Sequence, residues 1–261
     1  MNITATKTHK ITTTDRDLLA ILDQYVPHLQ EKSVVVVTSK IVSICEGRVA
    51  PMRKSGEEIL NRVQDDNAKT KDALIEQEAE YYLPRSASKY DVSLTIKNNT
   101  LIATAGIDES NADGHYVLWP KDPQETANSI RGFLKTVRKV REVGVIITDS
   151  KTTPLRWGVT AIAIAYCGIE PLKDYIGKKD LFGRRFVFEK LNIIDSLATA
   201  AALEMGEGRE QTPIAIIEDL KNVTFVDRNP SKEELDSLKI ALEDDLYAPL
   251  LKSVKWEKGK A

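Results

Sequence analysis

"SVVVVTSKIVS", residues 33 to 43, sets four valines in a row behind a serine and ends in polar residues, the pattern of a buried strand. Such a strand delivers Thr38, Ser39 and Lys40 to a sheet edge. Just before it, "DRDLLAILDQYV" (15 to 26) places Leu18, Leu19, Leu22 and Val26 on one helical face. A second apolar run, "VGVIITDS" (143 to 150), likewise turns polar at its end, in Asp149 and Ser150. Between the two runs, residues 55 to 83 read as charged and helical up to Pro84, and "VSLTIKNNTLIATAG" reads as two strands joined at Asn98-Asn99. That pair accepts the positive φ of a tight hairpin. "DPQE" (122 to 125) starts a helix, with Asp122 at the N-cap, Pro123 in the first helical position and Glu125 in capping-box position. Ala127, Ile130, Leu134 and Val137 follow along one face. "SLATAAALEM" (196 to 205) is a small-residue helix stopped by Gly206, and "PIAII" is a further strand. Ser231 with Glu234 starts a last helix through about Leu246, after which "KWEKGKA" is expected to fray. Alternating strands and helices with a hairpin indicate an α+β fold with mixed sheets, one domain spanning 1–261 in two interlocked lobes.

Composition narrows the function. The 261 residues are 42% hydrophobic and 29% charged, enough for a substantial core. Lys and Arg total 37 against 39 acids, and no block of like charge suggests a nucleic-acid track or a membrane-surface helix. Small molecules are the expected partners. The N-terminus lacks an apolar signal region and no window approaches the roughly 18 apolar residues of a membrane span, so a cytoplasmic location is expected. Cys45 and Cys167 lie far apart beside apolar residues and read as buried reduced thiols, while His9, His28 and His115 offer no zinc spacing.

Four polar clusters lie where regular elements end: Ser39-Lys40, Asp108 to Asn111 within "TAGIDESNADG", Asp149-Ser150, and Gly206 to Gln211. Any one alone is what turns and caps produce. Together they offer three carboxylates (Asp108, Asp149, Glu207), hydroxyls, an amide and a lysine, the inventory for hard divalent cations and the phosphates they bridge. No Walker P-loop occurs, and "GEG" at 206 to 208 lacks the third glycine of a dinucleotide fingerprint, with Gln211 in its place. A nucleotide site here is of an unusual type.

"VVVVTSKIVSICEGRV", "AGIDESN", "VIITDS" followed by "PLRWG", "KDLFGR" and "EMGEGREQTP" occur in an order and spacing that resemble the coenzyme F-420-0:L-glutamate ligase family over about residues 30 to 220. The resemblance implies a γ-glutamyl ligase that uses GTP and magnesium or manganese, with potassium as a further candidate ion, to join L-glutamate to a carboxylate of the deazaflavin precursor. A folate-directed ligase of the same fold is the near alternative, and a non-catalytic nucleotide-binding homologue the distant one. Clustered carboxylates kept without a cation would repel, which argues against the last. The resemblance also implies an intertwined homodimer. It assigns Asp108, Asp149, Ser150 and Glu207 to metal. It assigns Ser39, Lys40, Asn111 and the segment containing Gly206, Gly208, Arg209, Glu210 and Gln211 to nucleotide. Lys40 is then a charge partner for the triphosphate, or else a solvated strand-end lysine. Arg156 is a bidentate holder of a carboxylate or phosphate, or else a surface ion pair. Lys151, Thr152 and Thr153 stand before Pro154 where Gly-Arg-Pro is common, Ile44 replaces a frequent lysine, and a glycine usual before the N-terminal acidic pair is missing. These departures bear on the acceptor more than on the reaction. Tyr81, Tyr116 and Trp119 read first as core or hairpin packing and second as walls for a flat ring.

Overall fold

The computed structural model describes residues 1–52 and 70–261. Of the charged helix expected at 55–83, residues 55–69 lie outside them, and the remainder is helical only over Lys71–Glu78, with Tyr81–Tyr82 a strand in place of the helix's last turn. The strands are β1 (Asn2–Thr6), β2 (Ser33–Thr38), β3 (Val49–Pro51), β4 (Tyr81–Tyr82), β5 (Leu94–Lys97), β6 (Thr100–Ala103), β7 (His115–Val117), β8 (Val143–Thr152), β9 (Val159–Cys167), β10 (Leu172–Asp174), β11 (Lys190–Asn192), β12 (Ile214–Glu218) and β13 (Glu257–Lys258). The α-helices are α1 (Leu18–Tyr25), α2 (Ser39–Glu46), α3 (Lys71–Glu78), α4 (Pro123–Arg138), α5 (Ile193–Met205), α6 (Lys232–Asp236) and α7 (Ala248–Leu251).

The valine run forms β2, the middle strand of a five-stranded sheet ordered β1-β12-β2-β8-β9. Only β2 and β8 run parallel; the other neighbours are antiparallel. Val34 to Val37 are fully buried because both faces are covered. Val35 and Val37 meet α1, α2 and α4 through Leu22, Val42, Ile130 and Leu134. Val34 and Val36 meet α5 through Ile194, Leu197 and Ala201. The small residues of α5 let it lie close on the sheet. Between Ile147 and Thr148 the β8–β9 register slips by one, and Ile164 and Ala165 of β9 consequently face the same layer.

A second sheet, ordered β13-β4-β5-β6, and the β3-β7 pair carry the region between α2 and α4. Leu74 and Ile75 of α3 pack there on Ile107 and Leu118. Asn98 and Asn99 take φ of 48° and 58° at the β5–β6 turn, as the hairpin reading requires. Asp122 caps α4 by accepting from the Glu125 amide, and Gly206 ends α5 with φ 74°. No helix among the described residues is long and apolar enough to cross a membrane.

Several expectations are corrected. Ser39 and Lys40 open helix α2 instead of extending the strand, because Ile41, Val42 and Cys45 recur with helical spacing against the sheet while Ile44 packs on Ala112 and Val117. Asp149 and Ser150 lie within β8, which continues to Thr152. Val137 is 42% exposed; Arg131 occupies the buried face of α4 with Ala127, Ile130 and Leu134. The Ser231–Glu234 capping box forms, but α6 stops at Asp236. The C-terminus does not fray: β13 pairs with β4, and the Gly259 and Lys260 amides donate to the Glu80 and Glu76 carbonyls. The two cysteines are free and buried, and burial pushes Cys45 up to about 11 and Cys167 up to about 12, which leaves both thiols unreactive.

Candidate active site

The parallel pair β2–β8 ends with Thr38 opposite Thr148. A crevice at the carboxyl ends of such strands is where open sheets hold ligands. Here α2 starts directly at Ser39, so its first-turn amides face the same crevice that β8 enters with Asp149 and Ser150. The cavity measures about 580 Å³. Its lining includes Ser39, Lys40, Asp108, Asn111, Asp149, Ser150, Gly206, Glu207, Gly208, Arg209, Glu210 and Gln211. Arg156 does not line it; this residue lies in the exposed β8–β9 turn, its amide donating to the Thr153 carbonyl. The N-terminal segment adds Thr8, His9 and Lys10 to the wall. His9 is held by Tyr25 Oη and Asp15 Oδ1 at 2.9 and 3.0 Å. Nothing in that polar, irregular stretch announced its place.

Two loops are tied together across the cavity. Asn111, at φ 53°, donates from Nδ2 to the Gly208 carbonyl at 2.8 Å, and the Glu210 carboxylate accepts from the Gly208 amide. Lys40 Nζ lies 2.6 Å from Asp108 Oδ2 and donates to the Ser110 carbonyl at 3.0 Å. Burial works to raise the Asp108 carboxyl, but the Lys40 ammonium and the Ser110 amide overcome it and hold it below its ordinary value. Asp149 goes the other way. Burial outweighs the hydrogen bonds from Trp119, the Ser150 amide and Ser39, the Asp108 charge adds to it, and the carboxyl is pushed up to about 6. The ionised form is thus a cost to the fold, absent below the ordinary 3.8, growing as pH rises and complete above about 6.

Trp119 is the residue whose part the sequence did not disclose. Its ring is 2% exposed and its indole N–H donates to Asp149 Oδ2. Behind it, Arg48 Nε donates to the Trp119 carbonyl at 3.0 Å and Lys97 Nζ lies 5.4 Å over the ring. Both cations end on Glu78 Oε2, at 2.7 and 2.8 Å. Room for the indole comes from Gly106, where φ is 72° and a Cβ would stand 2.0 Å from Trp119 Nε1. Gly106→Ala is therefore expected to cost roughly 2–4 kcal/mol from left-handed strain and overpacking, and to displace Trp119 from Asp149. Thermal unfolding checks the first effect and tryptophan emission the second.

The donors suit a hard cation in kind, being carboxylate and hydroxyl oxygens. They are not gathered as ligands: among the described residues no group of three or more His, Cys, Asp or Glu is positioned to hold a metal. Asp108 is taken by Lys40, Asp149 by Trp119, and Glu207 accepts from Ser150 Oγ at 2.8 and 2.9 Å. Asp149, half-buried but desolvated at a cost and beside the Asp108 charge, is the group a cation would relieve most.

The family profile described as F420-0:Gamma-glutamyl ligase matches residues 6–219, which includes every element lining this cavity. The coenzyme F420:L-glutamate ligase of Halorubrum lacusprofundi is 33% identical over 214 residues, covering 78% of this chain and 81% of that protein. That of Methanocaldococcus jannaschii is 33% identical over 217 residues, covering 80% and 83%. That of Methanopyrus kandleri reaches 40% identity over 127 residues, covering 48% and 50%. With the match extending over most of the sequence and all of the crevice, this chain belongs to the F420-0:gamma-glutamyl ligase family.

Proposed function

We propose that the protein is a GTP- and divalent-metal-dependent ligase that forms a γ-glutamyl amide between L-glutamate and a carboxylate of coenzyme F-420-0. The observation that carries the reading is the convergence on one cavity of a helix N-terminus with Lys40, oxygen donors from strand β8 and from the loop that carries Asp108, and the Gly206–Gln211 segment. Amides of the first turn of α2 and the Lys40 ammonium suit a triphosphate. Asp108, Asp149, Ser150 and Glu207 would hold magnesium or manganese, which when bound neutralises phosphate charge. Lys40 is then released from Asp108 toward the nucleotide.

A carboxylate and an ammonium do not condense unaided in water. The acceptor carboxylate takes the γ-phosphoryl group, GDP leaves, and the amine of glutamate attacks the acyl phosphate; inorganic phosphate departs and the amine loses its proton. An acceptor carboxylate carrying a heavy-oxygen label should pass one labelled atom to phosphate. Label found only in the product amide, or in water, would remove the acyl phosphate.

We also propose a homodimer. Leu155 and Trp157 in the β8–β9 turn, and Leu181, Phe182 and Phe188 in the arm between β10 and β11, are each at least 79% exposed. So much apolar surface in two exposed segments is what an interface needs. Phe182→Asp with Phe188→Asp is expected to halve the mass seen by light scattering. A parent protein already of monomer mass contradicts the dimer.

A further inference from the structure

A second cavity, about 890 Å³, lies on the other side of Trp119. β8 runs from one chamber to the other: Asp149 and Ser150 line the first, and Lys151 and Thr152, followed by Thr153 just past the strand, line the second. Two strand residues span roughly 7 Å, so Asp149 and Lys151 bring the chambers within reach of a single small molecule. Trp119 joins them directly, since it lines the second while its N–H holds Asp149 in the first.

The second chamber has aromatic and apolar walls, with Trp119, Tyr247, Trp256 and Leu101 among them, and it also holds Lys121, Lys151 and Lys239. Its acids are already engaged. Asp122 caps α4, Asp195 accepts from the Ala163 amide, and Asp245 accepts from the Tyr247 amide. Lys121 has no ion pair among the described residues, and Lys151 stands 4.0 Å from Asp195. Tyr166, also on the lining, is 1% exposed and its hydroxyl has no hydrogen-bond partner among the described residues. A buried polar atom without a partner calls for one from outside; Ser43 Oγ, which is not on this lining, is the other such atom among the described residues. The chamber's size is that of a small-molecule site.

We propose that this chamber binds the acceptor as a flat heteroaromatic ring with an anionic tail, the ring among Trp119, Tyr247 and Trp256, and the tail led past Lys151 to the reaction cavity. This placement rests on the ligase reading. Leu235 to Trp256, which close the chamber, lie beyond the family match at residue 219, so the choice of acceptor is set partly by a segment outside the family's common region. Of the three aromatics weighed from sequence as ring walls, Trp119 lines the chamber; Tyr81 and Tyr116 do not.

Tyr247→Ala and Lys121→Glu test this in the full chain, with F-420-0 and 5-formyltetrahydrofolate as separate probes. Each change should raise KM for the acceptor tenfold or more, with kcat and KM for GTP within twofold of the parent. Turnover of either probe with KM unmoved in both variants overturns the chamber and leaves the ligase intact. If the parent glutamylates neither probe, the ligase reading fails for these acceptors and equilibrium binding decides the chamber. Saturable binding of a probe that weakens tenfold in Tyr247→Ala supports it, and no saturable binding of either probe overturns it.

Discussion

Asp149→Asn is expected to lower kcat by about a hundred- to thousandfold, the range seen when one preorganised electrostatic partner is lost, and at the same time to stabilise the fold. The two signs differ for one reason. Asp149 is ionised at pH 7 against the burial that pushes its carboxyl up to about 6, so the native state carries a charge it solvates poorly. The parent meets the Trp119 indole on Oδ2 and the Ser150 amide on Oδ1; the single asparagine oxygen keeps one of these bonds and loses the other, but no charge has to be held in the site. A gain of up to about 2 kcal/mol follows above pH 6, fades as pH falls through that value, and is gone below the ordinary 3.8, where the parent carboxyl is protonated in both states. Denaturant unfolding at pH 5 and pH 8, run beside turnover, checks both signs. A variant that is less active and also less stable at pH 8 would make Asp149 a structural residue.

The largest loss of stability is expected from Glu78→Ala. Glu78 and Lys97 are 8% and 7% exposed, and Glu78 Oε2 serves both Lys97 and Arg48. Removing the carboxylate leaves buried Lys97 facing the half-buried Arg48 with no counter-charge, a change that costs about 3–5 kcal/mol, or roughly 10 °C in Tm for a chain of this size. The cluster has a pH signature as well. Burial works to raise the Glu78 carboxyl, but Lys97 and Arg48 prevail and hold it below the ordinary 4.5. Its contribution is therefore present above 4.5 and lost as pH falls through the lower folded value, so the variant should lose the acid limb of the parent's stability curve. Because the same cations hold the Trp119 carbonyl and ring, the site should loosen too. Equal acid stability in parent and variant would show that the triad does not hold the fold.

What could be read in advance was local. Asp122 and Ser231 as caps, Asn98-Asn99 as a hairpin turn and Gly206 as a helix stop each depend on a few adjacent residues, and each formed as read. The four polar clusters reached one cavity, although Asp149 and Ser150 stand within β8 and the Asp108–Asn111 loop follows a strand of the second sheet. Illegible features were those fixed by distant partners. "SKIVSIC" continues the apolar character of the strand before it, and only the layer above the sheet makes it helical. The last residues are ordered by β4, some 175 positions earlier in the chain. Nothing near Trp119 says that its N–H meets a carboxylate 30 residues away.

In the proposed reaction this cavity joins glutamate to a carboxylate acceptor at the expense of GTP. The most direct test is mass spectrometry of products after the purified protein is given F-420-0, L-glutamate, GTP and manganese, with matched reactions lacking one component each. A product heavier by one or more glutamyl residues, formed with equivalent GDP and phosphate and absent when GTP or manganese is left out, is the predicted result. Unchanged F-420-0 in the complete mixture, from protein that binds both nucleotide and acceptor, would contradict it.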